Sequence, residues 1–156
     1  MSDSLEVSRE IAAPAEQVWA MVADVTRMGE WSPENQGGEW LGGATGAQPG
    51  AKFRATNRVG RRSWKTVATV TEAEPGRRFA FRVSAGPVRV ADWAYAFEPT
   101  PDGCRVTESW TDRRPGWFTP IARRATGVRD RATHNQQGME QTLERLAAAA
   151  ESSTSP

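Results

Sequence analysis

Residues 105–111 read "RVTESWT", and alternation puts Val106, Glu108 and Trp110 on one face of a strand, with Arg105, Thr107, Ser109 and Thr111 on the other. A carboxylate among apolar neighbours loses hydration, which raises its pKa unless a partner compensates it. Glu108 could then orient a ligand hydroxyl, move protons as a general acid or base, or form half of a buried ion pair. Asn57 shares its predicted face with Phe53, Ala55 and Val59, where its amide would bond a ligand carbonyl, neighbouring backbone or a buried water. Asn135 lies roughly 40° from the centre of an apolar helix stripe, at about 100° per residue. His134, the single histidine, falls nearly opposite that stripe and reads as a solvated side chain unless the helix bends at Gly127 or Gly138.

Other chemistry finds little support. One histidine and one cysteine, Cys104, cannot make a Cys/His metal site, and no intrachain disulfide can form. No Gly-x-Ser-x-Gly elbow occurs, and "GGATGAQPG" lies between two predicted strands, so it reads as a hairpin loop rather than a phosphate cradle. No cofactor is expected. The arginines at 113, 114, 123, 124, 129 and 131 could attract an acidic ligand or an anionic surface, or form a solvated face partly offset by Asp112 and Asp130.

These residues need elements to hold them. "SLEVSREI" (4–11) alternates as a half-buried strand with Leu5, Val7, Arg9 and Ile11 on one side. Pro14 fits a first helical position, and Val18, Met21, Val22 and Val25 follow at helical spacing. A break near Asp24 and a short second helix to Gly29 or Glu30 are predicted. Six strand-like stretches occupy 35–112, separated by short turns that favour antiparallel neighbours. A long helix over about 119–150 carries Ile121, Ala125, Val128, Ala132, Met139, Leu143 and Leu146 in one stripe. One helix is too narrow to cover a seven-stranded sheet, so the sheet must curl around it, and that arrangement tends to leave a cavity.

The chain's 156 residues suit one domain, expected over 1–150 with a disordered tail over 151–156. Hydrophobic residues at 38% and charged residues at 25% exclude a disordered composition, and a net charge of +1 argues against nucleic-acid binding. The first residues resemble no signal peptide, no apolar run reaches the roughly 20 residues of a membrane helix, and a cytoplasmic protein is expected. Seven tryptophans stand against five phenylalanines and one tyrosine, an excess that suits either sheet core or a gripped ligand.

The stretch "IAAPAEQVWAMVADVTRMGEWSP", the pair "VTEAEPGRRFAFRV" and "WAYAFEPTPDGCRVTES", and the closing helix together resemble the polyketide cyclase/dehydrase and lipid-transport superfamily of START-like, helix-grip proteins. The resemblance spans about 5–148. It implies an α+β helix-grip fold: a seven-stranded curved antiparallel sheet wrapped around a long C-terminal helix, with two short helices after strand 1. It also implies a pocket between sheet and helix. First and last strands would be neighbours, which makes an Arg9–Glu108 pair geometrically reasonable. The expected function is binding of a small hydrophobic or aromatic, polyketide-, lipid- or metabolite-like ligand. Trp31, Trp64, Phe81, Trp93, Tyr95, Trp110, Val128 and Met139 would supply the apolar contacts, and Asn57, Glu108 and Asn135 the polar ones. Phe79 and Phe97 are expected to pack as core. The alternative is a cyclase, aromatase or dehydratase using Glu108 as acid or base; no catalytic motif decides between them, and a homodimer is permitted.

Overall fold

The computed structural model describes residues 3–154. Seven strands, β1 (Ser4–Ile11), β2 (Asn35–Trp40), β3 (Lys52–Val59), β4 (Arg62–Glu74), β5 (Arg78–Ala85), β6 (Val88–Thr100) and β7 (Gly103–Asp112), form one antiparallel sheet in the order β1-β7-β6-β5-β4-β3-β2. The helices are α1 (Ala15–Ala23), α2 (Met28–Trp31), α3 (Thr119–Thr126) and α4 (Arg131–Thr154), and a 3-10 turn, Val25–Arg27, joins the first two. This is the helix-grip α+β architecture that the sequence predicts.

Alternation dictates the inner face. In β3, Phe53, Ala55 and Asn57 are buried while Lys52, Arg54 and Arg58 are exposed. Register then aligns inward residues into rows across the sheet. Phe81, Trp93, Trp110 and Leu5 stand opposite one another in turn, and Phe79, Tyr95, Glu108 and Val7 form the next row. Bulges interrupt the β2–β3, β4–β5 and β5–β6 ladders, and each extra residue bends its strand and increases local twist. The bends curl the sheet. Gly103, which opens β7, packs so closely on the end of the first strand that a Cβ there would overlap the Ile11 carbonyl oxygen.

The C-terminal segment departs from the single predicted helix. Gly127 adopts a left-handed φ of 75° and caps α3, with its N–H bonded to the Arg123 carbonyl. The helical phase therefore restarts at Arg131. Ile121 and Ala125, expected on the buried stripe, are exposed, whereas Ala122 and Thr126 turn inward. Gly138 produces no break. The expected tail begins too early: α4 continues through Thr154, and positions 155–156 lie outside the described residues. Pro14 is the N-cap of α1 rather than its first residue, and α2 reaches Trp31.

The two halves of α4 do different work. Leu143, Leu146, Ala147 and Ala150 join the main core with Phe53, Phe79, Phe97 and Val106 beneath α1. Toward the helix start, Asn135, Met139 and Thr142 face open space instead. Among the described residues no helix is long and apolar enough to cross a membrane.

Candidate functional site

A cavity of about 310 Å³ lies between the sheet and the first half of α4, walled also by α3 and by the segment following α2. Its inner wall is the aromatic part of the sheet face: Phe53, Phe81, Trp93, Tyr95 and Trp110. Exposed Pro33, Lys65 and Ala125 are part of the lining and mark its mouth. Such a volume falls at the lower end of the range for small-molecule sites.

Glu108 sits in the inner wall with only 3% of its surface exposed. The Tyr95 hydroxyl, directly opposite on β6, donates a 2.8 Å hydrogen bond to Oε2. The other oxygen, Oε1, is buried and has no partner, the one such side-chain atom among the described residues. Burial pushes the Glu108 carboxyl up to about 8, against the opposing effect of the Tyr95 bond. Burial first, and then the neighbouring carboxyl, raise the Tyr95 phenol well above its ordinary value. At neutral pH the pair is therefore an uncharged acid and an uncharged phenol, and Glu108 carries a proton that it can donate.

The expected ion pair with Arg9 does not form. β1 and β7 are indeed neighbours, but the residue opposite Glu108 is Val7, and Arg9 stands opposite Val106. β1 is an edge strand, and Arg9 is exposed to solvent there, with no carboxylate partner among the described residues. Parity places Arg9 on the correct side; the edge gives its long side chain a way out.

A second polar group stands at the mouth. Glu34 Oε1 accepts from Arg131 Nη1 at 2.7 Å and lies 3.0 Å from His134 Nε2, which implies that the proton is on that nitrogen. Arg131 also donates to Asn135 Oδ1 at 3.3 Å, and its guanidinium lies 6.0 Å from the Trp64 ring centre. Burial disfavours the Glu34 charge, yet the His134 hydrogen bond and the Arg131 guanidinium outweigh it and hold the carboxyl below its ordinary value. One cavity thus holds two carboxyls driven in opposite directions. Arg114 completes the polar rim, its fork closed on Asp112 at 3.0 and 2.8 Å.

Of the residues expected at the cavity, Trp31, Asn57, Trp64, Phe81, Trp93, Tyr95, Glu108, Trp110, Asn135 and Met139 all line it. Val128 does not: it is buried in the link between α3 and α4, displaced by the break at Gly127. Asn57 donates to Thr66 Oγ1 at 3.1 Å, a bond within the wall itself. Phe79 and Phe97 are core. Sequence reasoning misses Glu34 and treats His134 as solvated; Trp31, three residues before Glu34, is the nearest signal. Among the described residues no three His, Cys, Asp or Glu side chains gather as metal ligands would.

Residues 2–151 match the sequence profile of the family described as polyketide cyclase / dehydrase and lipid transport. No curated protein matches the chain. Among solved structures, a Polyketide_cyc-like protein of Corynebacterium glutamicum is 33% identical, with 96% of this chain and 83% of that one covered and a TM-score of 0.53. A Thermus thermophilus protein gives 18% identity, coverage of 98% and 100%, and a TM-score of 0.71. The di-domain ARO/CYC StfQ from the steffimycin biosynthetic pathway gives 14% identity and a TM-score of 0.75, with 97% of this chain covering 51% of that one. The last two likenesses concern fold alone.

Proposed function

Because the chain belongs to the polyketide cyclase / dehydrase and lipid transport family, we propose that it binds a small, largely apolar ligand between the sheet and α4, with Glu108 as the polar contact that fixes its orientation. The observation that carries this reading is Glu108 Oε1, a buried and unpartnered atom in an aromatic cavity wall. Leaving such an atom unsatisfied costs about 1–3 kcal/mol, and a ligand carbonyl accepting the Glu108 proton would remove that cost. Aromatic side chains grip the rest of the ligand by area and stacking.

An apolar fluorescent probe is expected to quench the intrinsic tryptophan emission saturably. Trp93→Ala should weaken probe binding more than Trp19→Ala, because Trp93 lines the cavity while Trp19 bonds the Arg78 carbonyl outside it. Equal losses in a titration of the two variants would count against the site. Met139→Trp offers a second check. Met139 is buried against Ala91 and Trp110 and borders open volume. The larger ring should occupy that volume, abolish probe binding and cost little stability. In a filled interior the same change would cost about 1–3 kcal/mol and leave binding untouched, so a melt and a titration of one variant separate the cases.

A second reading, an enzyme of the cyclase, aromatase or dehydratase kind, is favoured by the two carboxyls held in opposite states, since such pairs are how one site supplies both acid and base. Glu108 would give a proton to a ligand oxygen, and His134, oriented by Glu34, would take one from carbon. Glu108→Gln distinguishes the two. An amide donates a hydrogen bond but cannot release a proton, so a carrier keeps most of its affinity whereas an enzyme loses turnover.

A further inference from the structure

α3 has two faces. Phe118, Ala122, Ala125 and Thr126 line the cavity. Trp117, in the turn that leads into α3, and Ile121, in its first turn, are exposed at 65% and 54%, the large hydrophobic side chains most exposed among the described residues. The Trp117 ring meets the Phe118 ring edge-on at 5.8 Å. Beside them Arg62, Pro120, Arg123, Arg124, Gly127 and Arg129 surround an open depression. Arg62 Nη1 donates to the Arg124 carbonyl at 2.7 Å and Arg123 Nε to the Arg129 carbonyl at 3.1 Å. These bonds fix the two guanidiniums and leave their other N–H groups available.

We propose that the start of α3 and the turn before it, Ile121 and Trp117 flanked by the arginine-lined depression, dock on an anionic lipid surface and bring the cavity mouth to it. Charge complementarity argues for this occupant. No carboxylate lines the depression. Asp130, next in sequence to Arg129, is bonded by Thr133 and feels Arg123, while Asp112 and Asp92 are taken by Arg114 and Arg113. A tryptophan and an isoleucine beside clustered arginines form the pattern that lies in a membrane interface, with the indole and the aliphatic chain among headgroups and the guanidiniums on phosphates. Two side chains are too small for a stable protein interface, which needs about 1,000 Å² or more of buried surface. Each arginine near an anionic surface raises affinity roughly fivefold, so attachment is weak, reversible and sensitive to salt. An apolar ligand entering past α3 would then come from the lipid surface rather than from water.

The test is sedimentation of the full chain with vesicles, read without any ligand and so independent of the ligand-binding proposal. Association is expected with vesicles of equal parts phosphatidylcholine and phosphatidylglycerol, is absent with phosphatidylcholine alone, and weakens as salt rises. Trp117→Ser with Ile121→Ser should weaken it by about tenfold. Arg123→Gln with Arg124→Gln should do the same and keeps the test decisive where the serine variant loses its fold. Both variants should retain the solution titration of the apolar probe. No association with the mixed vesicles, or undiminished association of both variants, overturns the proposal. So does a dimer in sedimentation velocity that the serine variant abolishes, because the face would then belong to a second copy. Loss of the probe titration in every protein with vesicle binding intact would remove the cavity reading and leave this one standing.

Discussion

Glu108→Gln is expected to stabilise the ligand-free protein, by an amount that grows with pH. The carboxyl keeps its proton in the folded protein up to about 8, because burial penalises the charge, and releases it near 4.5 in the unfolded chain. Between those values the folded state holds one proton more than the unfolded state. Stability therefore falls as pH rises through that window, by at most about 1.4 kcal/mol per pH unit. Over the whole window the upper bound is about 5 kcal/mol, and the part that water penetration and local relaxation relieve lowers it. Glutamine cannot ionise, and its amide reproduces the shape and donor of the protonated acid. Variant and wild type should melt alike below 4.5, and the variant should gain steadily toward 8 and hold its full advantage above it. Denaturant melts of both proteins across that range measure the difference directly. A variant less stable by several kcal/mol at neutral pH, with the deficit closing in acid, would mean that the carboxylate is ionised and paired, and the site as described would be wrong.

The parts of this site that can be read in the sequence are those set by strand parity. Period-two alternation alone places Trp93, Tyr95, Glu108 and Trp110 on the inner face, and all four line the cavity. Register is not readable, and register chooses partners. Glu108 meets Tyr95 rather than Arg9 because the ladders put Tyr95 and Val7, not Arg9, directly across from it. Nor is the mouth readable. The phase of one straight helix assigns His134 to solvent, and Gly127 resets that phase four residues before Arg131. Glu34 is invisible for a different reason. It lies in an irregular segment between α2 and β2, where no period says which way a side chain points, and its role comes from residues about a hundred positions later.

Glu34→Ala is expected to destabilise the protein by about 1–3 kcal/mol, the cost of leaving the Arg131 guanidinium with only the Asn135 Oδ1 acceptor where 13% of that side chain is exposed. The pair is less buried than those that cost the most, since the Glu34 side chain retains 25% exposure. The pH dependence should have the opposite sign to that of Glu108. The Glu34 carboxyl is held below its ordinary value of 4.5, so the stability it contributes is complete above that value and is lost as pH falls through the lower, folded-state value. Glu34→Gln should accordingly match the wild type more closely in acid than at neutrality. A double-mutant cycle with Arg131→Met isolates the pair from the loss of packing. Arg131→Met alone leaves the Glu34 charge to His134 only, and the two changes together should cost less than their sum by about 1 kcal/mol or more. Strict additivity would mean that Arg131 is held by the Trp64 ring and Asn135 rather than by the carboxylate. In that case Glu34 would be held by His134 alone, and the base of the enzyme reading would rest on that one contact.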